Sequence, residues 1–317
     1  MKTIFKTLVF LFLTSSFVFA QVGDGPESHF LKPKNMWGLN IKYLNLTQNL
    51  SLNGDYINPG LDIEVNSFPI TAFHTFAIKG QHAEVVAMIN PTSISSNLSL
   101  PLPSFNYENC TSGFSDGFVG LKVGMINSKA VSFEEFVAKK PEFFMMSYFR
   151  VWFSGSYDKN ELVNLGTNRT TFEYGIPTTF PIRVKNNSTT SLELFPSIKF
   201  FTKNKEFKET PNSVNYVEKT QKPLFVFENH LIHKFNKKLR ATLNGRYQLG
   251  GETTTNDVKN DNSFNNYSGT VGVGYQFHPL VYLHVDYGGV LFGGDDAESN
   301  MLRVNLQLNY LKLNKKK

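Results

Sequence analysis

Histidine and acidic side chains that could support hydrolysis or metal binding are concentrated in the last third of the chain. They are His230, His233, His278, His284 and Asp286. A hydrolase needs a nucleophile, a base and an orienting group brought together in one place. His230 and His233 are three residues apart, so on a strand they face opposite sides and do not form a metal site. We predict no enzyme, no metal and no cofactor, and interpret His284 beside Asp286 as part of a polar network.

The elements that carry these residues alternate apolar and polar side chains with a period of two. Apolar residues take every second position in 271–277, 281–287 and 302–310. This alternation predicts β-strands with one apolar and one polar face. Such strands fit either a soluble periplasmic β-sandwich or a membrane β-barrel.

The connections between the predicted strands distinguish the two folds. Short connections are predicted at 79–81, 186–187, 236–237 and 278–279, and long ones at 47–60, 91–112, 155–169, 203–221 and 251–263. Short periplasmic turns that alternate with long external loops are typical of outer-membrane barrels. The sequence therefore predicts an all-β fold, a transmembrane outer-membrane β-barrel over 37–313 with about twelve antiparallel strands, within a range of about ten to fourteen.

One helix signal interrupts this pattern. Ser132 and Glu135 form a capping box, and Pro141 ends the short helix predicted near 132–141. The helix is either a plug or an element of the barrel rim, and the sequence leaves both open. Two predicted strands, at 143–146 and 224–227, are apolar on both faces, which favours contact with a plug or an apolar patch of the lumen.

The chain ends predict export. Lys2, Lys6 and an apolar run over 8–13 precede Ala20, the pattern of a signal peptide at 1–20. A periplasmic N-terminal lead is expected over 21–36 and a basic tail over 314–317. No other segment approaches eighteen uninterrupted apolar residues, so membrane-spanning helices are not predicted. The expected location is the outer membrane of a Gram-negative bacterium.

Composition restricts the partners. The formal net charge of +6 is weak and scattered, which argues against nucleic acid. Cys110 is the single cysteine, so no intramolecular disulfide is predicted. The expected partners are outer-membrane lipid and lipopolysaccharide, the barrel-assembly machinery during biogenesis and a small organic solute.

Charged residues on the polar faces of the strands are predicted to line the lumen. They are Arg150, Glu173, Arg183, Glu193, Lys199, Arg240, Arg246, His284, Asp286 and Arg303. Paired charges in a lumen either line a narrow path or neutralise one another and close it. Their basic excess favours anionic or aromatic-acid solutes over cations.

The loop after the fifth strand carries a family resemblance. It reads Gly155-Ser156-Tyr157-Asp158, then Asn164-Leu165-Gly166 and Asn168-Arg169, and Ser112-Gly113-Phe114-Ser115-Asp116 precedes it. Both segments resemble signatures of the outer-membrane transporters associated with the phenol meta-cleavage degradation pathway, the MetA-pathway of phenol degradation family. The resemblance implies passage of small, often hydrophobic molecules across the outer membrane.

The residue types of this loop indicate structure as well as chemistry. Gly155 and Gly166 allow backbone conformations closed to other residues, and Asp158, Asn164 and Asn168 favour turns. Arg169 is expected to pair with Asp158 or to reach into the lumen. The loop is either a rigid external cover or a ligand-contacting gate.

The sequence therefore predicts a channel for small, hydrophobic or aromatic organic solutes. The alternative is a non-conducting barrel with a surface-binding or structural role. An open lumen distinguishes the first from the second.

Overall fold

The structure of the protein is a computed structural model, and it describes residues 23–48, 61–99, 106–158, 164–185, 188–207, 216–292 and 299–311. The predicted signal peptide and basic tail lie outside these residues. The strands are β1 (Met36–Gln48), β2 (Leu61–Ser67), β3 (Ile70–Ile78), β4 (Gln81–Ser99), β5 (Asn106–Ile126), β6 (Phe144–Phe153), β7 (Thr171–Gly175), β8 (Thr178–Lys185), β9 (Ser188–Phe201), β10 (Asn204–Phe207), β11 (Val217–Gln221), β12 (Leu224–Lys234), β13 (Leu239–Gly250), β14 (Thr253–Thr255), β15 (Val258–Lys259), β16 (Phe264–His278), β17 (Val281–Phe292) and β18 (Ser299–Leu311).

Fourteen of these strands, β1–β9, β12, β13 and β16–β18, form a closed antiparallel barrel. β9 pairs with β12, and β13 pairs with β16, because the strands between them belong to another sheet. β18 pairs with β1 from Met36↔Leu311 to Gln48↔Ser299, which closes the cylinder. With β2–β3 and β7–β8 each counted as one broken strand, the barrel has twelve, as predicted.

The alternation of side chains has the predicted sense. On β16 the apolar residues Val271, Val273 and Phe277 are 57–60% exposed, whereas Ser268 and Thr270 face inward and are buried. An apolar outer face and a polar interior are the arrangement that a bilayer imposes on a barrel wall. This exposed apolar surface excludes the β-sandwich.

Proline breaks two of the twelve strands. Phe68-Pro69 separates β2 from β3, and Ile176-Pro177 separates β7 from β8. Proline lacks the N–H that a ladder needs and is tolerated at such breaks. The pairing resumes at once on each side, with Leu44↔Ser67 before the first break and Ile41↔Ile70 after it.

The predicted long loop at 91–112 is wrong for most of its length. β4 continues to Ser99 and β5 begins at Asn106, paired from Thr92↔Gly113 to Ser99↔Asn106. The Ser and Asn content of this stretch hid its alternation, in which Thr92, Ile94 and Ser96 are buried. The connections 203–221 and 251–263 also contain strands, since β10, β11, β14 and β15 form a separate four-stranded sheet.

The short helix is present as α1 (Phe133–Ala138), with the predicted capping box between Ser132 and Glu135. It has no buried residue. Just before it in the chain, the N–H of Ala130 donates to Gly80 O at 3.0 Å, next to the short turn between β3 and β4. α1 is therefore a rim element and not a plug. No helix among the described residues is long and apolar enough to cross a membrane.

Candidate functional site: the barrel interior

Residues 23–33 lie inside the barrel, where they contact several strands around its wall, and the exposed Lys34 and Asn35 connect them to β1. Lys122 of β5 donates to Ser28 O at 2.8 Å, and Arg303 of β18 donates to Gly23 O at 3.0 Å. The described part of the predicted periplasmic lead over 21–36 is thus attached to the inner wall of the barrel. The physical reason is that the polar groups of this segment find charged partners on the inner wall. We call residues 23–35 the N-terminal segment.

Asp24 is the most connected residue of the N-terminal segment. Its carboxylate accepts from Arg150 Nη1 at 2.9 and 2.8 Å and lies 3.3 Å from His29 Nε2. Its own N–H donates to Glu228 at 2.9 Å, and its carbonyl oxygen accepts from Lys42 at 2.8 Å. This residue joins walls that lie far apart in the sequence.

Glu27 forms a second anchor. Its carboxylate is 2.7 Å from Lys234 Nζ and 2.5 Å from Arg240 Nη1, and its N–H donates to Glu193 at 2.9 Å. Burial alone would raise the pKa of Glu27, but Lys234 and Arg240 outweigh it and lower the pKa from its ordinary value of 4.5 to about 2. Glu27 is therefore a carboxylate at neutral pH.

Apolar side chains complete the surface of the inner wall that holds the N-terminal segment, which we call its seat. His29 is 1% exposed, and its ring lies 4.3 Å from that of Phe195 and 5.7 Å from that of Tyr148. Phe144 and Met146 of β6 also face inward and are buried. The doubly apolar stretch at 143–146 thus faces a plug, as one reading of the sequence proposed, although the plug is the N-terminal segment and not α1.

The structure brings most of the predicted lumen residues together in the interior. Buried there are Arg150, Glu173, Glu193, Arg240, His284, Asp286 and Arg303, and Lys199 and Arg246 are mostly buried, with 19% and 13% of their side chains exposed. Arg183 is the exception, because it is exposed near the end of strand β8. The register shift between Pro181 and Arg183 takes this end of the strand off the regular alternation.

Sequence reasoning missed the other half of the charged network. Glu84, Lys122 and Glu228 are buried inside the barrel, and Lys122 is 2.8 Å from Glu84. These three occupy the polar positions of alternating strands, so the same signal that found Glu173 would have found them. Asp24 and Glu27 carried no such signal, because they precede the first strand.

His284 and Asp286 belong to a polar network, as predicted. Asp286 accepts from Arg303 at 2.8 and 2.7 Å and from Thr270 at 3.0 Å, and it lies 3.2 Å from His284 Nδ1. Thr242 Oγ1 contacts His284 Nε2 at 3.1 Å. Both ring nitrogens and both carboxylate oxygens are thus engaged by the wall itself.

The two family segments contact each other. Tyr157 donates to Asp116 at 3.0 Å and accepts from the N–H of Asn168 at 2.8 Å. Thr167 donates to Asp116 through its N–H at 2.8 Å and its hydroxyl at 2.6 Å. Burial and the neighbouring Asp116 raise the pKa of the Tyr157 phenol, which stays a hydrogen-bond donor. Asp116 therefore fastens the 155–169 loop to β5.

The loop glycines serve close approach, and not the unusual backbone conformation that the sequence suggested. A Cβ on Gly155 would lie 1.9 Å from Phe114 O, and one on Gly166 would lie 2.1 Å from Asp116 Oδ1. Neither glycine has a positive φ, whereas Asn168 does, at 53°. Asn164 Oδ1 accepts from the N–H of Gly166 at 3.2 Å, which closes the turn predicted there.

Arg169 and Asp158 have different surroundings. Arg169 is 7% exposed, donates to Gln221 and lies with its guanidinium 4.7 Å from the Phe201 ring centroid. Asp158 is exposed. Arg169 is therefore a buried side chain beneath the loop, in contact with Gln221 and Phe201.

Residues 113–117 also have the spacing G-x-S-x-G of a nucleophile motif. In hydrolases this serine sits on a turn between a strand and a helix. Here Ser115 lies within β5, and its hydroxyl donates to Leu165 O at 2.6 Å. The geometry is that of a loop anchor.

A cavity of about 320 Å³ remains between the N-terminal segment and the 155–169 loop. Gly23 and Asp24 line it on one side, and Leu165, Gly166 and Thr167 line it on the other. The barrel interior thus contains a closed half, filled by the N-terminal segment, and a chamber beneath the loop.

Comparison with solved structures identifies the fold. The chain is similar to the COG4313 outer membrane channel from Pseudomonas putida F1, with a TM-score of 0.73 and 13% identity over 92% of this chain and 100% of that one. It is also similar to the transport unit of the autotransporter AIDA-I from Escherichia coli, with a TM-score of 0.51 and 10% identity over 92% and 93% of the chains. At these identities the likeness concerns the fold, that of an outer-membrane β-barrel.

Sequence comparison identifies the family. No curated protein matches the chain. Residues 51–309 match the family described as "Putative MetA-pathway of phenol degradation", a span that includes both segments joined by Asp116. The chain belongs to this family.

Proposed function

We propose that the protein is an outer-membrane channel for small organic solutes, and that the N-terminal segment holds the channel closed. The observation that carries this proposal is how the segment is held. Between residues 23 and 35 it contains no strand, and ion pairs and hydrogen bonds attach it to the wall. Its removal would leave every strand pairing of the barrel in place, which is what a displaceable plug requires.

The chamber and the family support the solute class. A cavity of about 320 Å³ is near the lower end of small-molecule sites, which span about 300–1,000 Å³. Apolar side chains such as Leu44, Val65 and Leu165 line part of it, which suits molecules with a hydrophobic or aromatic body. Larger solutes would need movement of the loop.

The outer surface supports the proposed location and surroundings. Aromatic and aliphatic side chains including Phe172, Tyr174, Phe180 and Ile182 are exposed on the outside of β7 and β8. We expect them to contact lipid and lipopolysaccharide of the outer membrane after insertion by the barrel-assembly machinery.

Single-channel conductance in planar bilayers tests the proposal. The full chain without its signal peptide is compared with a variant that lacks residues 23–33, and with a control in which 131–140 is replaced by a Gly/Ser linker of equal length. We expect low conductance from the first and the control, and steady conductance from the deletion. A silent deletion variant that is folded would contradict the channel.

The alternative function is a non-conducting barrel that binds a partner at its surface. The four-stranded sheet of β10, β11, β14 and β15 favours this alternative. The sheet is built from two of the connections predicted to be long loops, and it adds ordered surface to that end of the barrel. A folded barrel that stays silent without residues 23–33 would support this alternative.

A further inference from the structure

The chamber beneath the 155–169 loop has two unlike walls. One is apolar and comes from β1, β2, β4 and the loop: Leu44, Leu46, Val65, Met88 and Leu165. The other comes from β6, β9 and β13 and carries aromatic and basic side chains: Trp152, Lys199, Phe201 and Arg246. Four acidic and four basic side chains line the chamber as a whole, so its fit to an anion depends on which of the cations has hydrogen-bond donors left for a ligand.

Lys199 is the side chain of this chamber with donors to spare. Its Nζ lies 3.8 Å from Glu173 Oε2, which is beyond hydrogen-bond distance, and 4.9 Å from the centroid of the Trp152 ring. It makes no hydrogen bond to any residue that the structure describes. An ammonium group carries three N–H donors, and here all three remain for a ligand.

The carboxylates near Lys199 are already engaged. Glu173 accepts from Arg150 and Ser197 at 2.8 Å and from Trp152 at 2.9 Å. Asp24 accepts two bonds from Arg150. These bonds occupy acceptor positions of both acids, and Lys199 makes a hydrogen bond to neither, since its contact with Glu173 is an ion pair at 3.8 Å.

A second cation lies across the same wall. Arg246 Nε is 3.5 Å from Glu228 Oε1, and both residues line the chamber. Glu228 also accepts from the N–H of Asp24 at 2.9 Å. Arg246 is thus paired with an acid of the wall, and Asp116 of the same lining accepts from Tyr157 and Thr167.

We propose that this chamber binds a small amphipathic monocarboxylate, with the carboxylate on Lys199 and the ring or chain against the apolar wall. This inference rests on the proposed function in one respect, that the bound molecule is the transported solute. Binding in the chamber can be measured without transport. The volume of about 320 Å³ accommodates a single-ring acid and excludes a large one. A neutral molecule of the same shape lacks the group that Lys199 would bind.

Tryptophan fluorescence of the full protein in detergent tests the proposal. The chain has two tryptophans, and Trp37 is 55% exposed on the outer face, so Trp37→Phe leaves Trp152 as the reporter of the chamber. This parent is titrated with benzoate and with benzyl alcohol, which has a similar ring and no charge. We expect benzoate to bind at least about tenfold more tightly, the effect of one charge-assisted hydrogen bond.

Variants then locate the anion site. Lys199→Gln in this parent is expected to weaken benzoate about tenfold or more and to leave benzyl alcohol unchanged. Lys203→Gln is the matched control, since Lys203 is 59% exposed and pairs with Glu218, and it should bind like the parent. Heat-modifiable mobility in electrophoresis verifies that each barrel is folded.

Two results would overturn the proposal. One is a parent that binds benzoate no more tightly than benzyl alcohol, a comparison that needs no variant to fold. The other is a folded Lys199→Gln protein with the parent's benzoate affinity. Tight benzoate binding by a barrel that never conducts would sustain this inference while removing the proposed channel, and conductance without benzoate binding would do the reverse.

Discussion

Asp24→Asn should unseat the N-terminal segment without altering the barrel wall. The substitution removes the charge that accepts two bonds from Arg150 but keeps the shape of the side chain. Arg150 retains Glu173 at 2.8 Å, so the wall keeps its own ion pair. The perturbation therefore acts on the attachment of the segment.

The expected size follows from the burial of the pair. Loss of one partner of a buried ion pair typically costs about 3–5 kcal/mol. Asp24 keeps 20% of its side chain exposed, and asparagine still accepts one bond from Arg150, so we expect about 2 kcal/mol. This corresponds to about a thirtyfold increase in the ratio of unseated to seated segment.

Cysteine labelling measures that ratio without reliance on conductance. Pro26 is buried in the segment, so Pro26→Cys in a Cys110→Ser background reacts with a hydrophilic maleimide only when the segment leaves its seat. Asp24→Asn should raise the labelling rate about thirtyfold, in line with the population of the open form. Asp62→Asn, a change at an exposed aspartate of β2, is the control and should leave the rate unchanged. An equal rate in the Asp24 variant and the control would refute the reasoning that this ion pair holds the segment.

Three further outcomes are expected. Because Glu27 has a lowered pKa of about 2 against an ordinary value of 4.5, its stabilisation of the seated segment is complete above about pH 4.5 and is lost as the pH falls toward 2; channel conductance should rise over that interval, and a flat profile would contradict it. Gly155→Ala would place a Cβ 1.9 Å from Phe114 O, which should weaken the attachment of the loop to β5 by about 1–3 kcal/mol. The loop should then be cut faster in limited proteolysis, and an unchanged cleavage rate would be the contrary result. Val271→Arg on the lipid face should destabilise the barrel by about 2–4 kcal/mol in denaturant titration, whereas Phe277→Arg beside the short turn should cost about 0–1 kcal/mol; equal costs would place both residues at one depth.

The strands were predictable because lipid outside and polar groups inside impose a period of two. Val271, Val273 and Phe277 show it plainly, and their outward exposure confirmed it. The rule was incomplete where chemistry and periodicity disagreed. The polar composition of 91–112 resembles that of a loop, yet Thr92 and Ser96 face inward and belong to the paired strands β4 and β5.

The position of the N-terminal segment inside the barrel was not predictable from its own residues. Its partners are remote, since Asp24 and Glu228 are 204 positions apart and Gly23 and Arg303 are 280 apart, and no local pattern encodes such contacts. The inner wall carries a trace of this packing, because Phe144 and Met146 face inward, whereas a water-filled lumen would be lined there by polar side chains. The sequence left open whether these side chains meet a plug or an apolar patch of the lumen, and whether α1 is a plug or a rim element.

The N-terminal segment also sets an order of assembly. Its partners Arg240 and Arg303 belong to strands that follow it by more than 200 positions, as the 213-residue and 280-residue separations show. The contacts with Arg240 and Arg303 need β13 and β18 to be present, so the first described residues of the chain cannot complete their set of contacts before its last strand has been added.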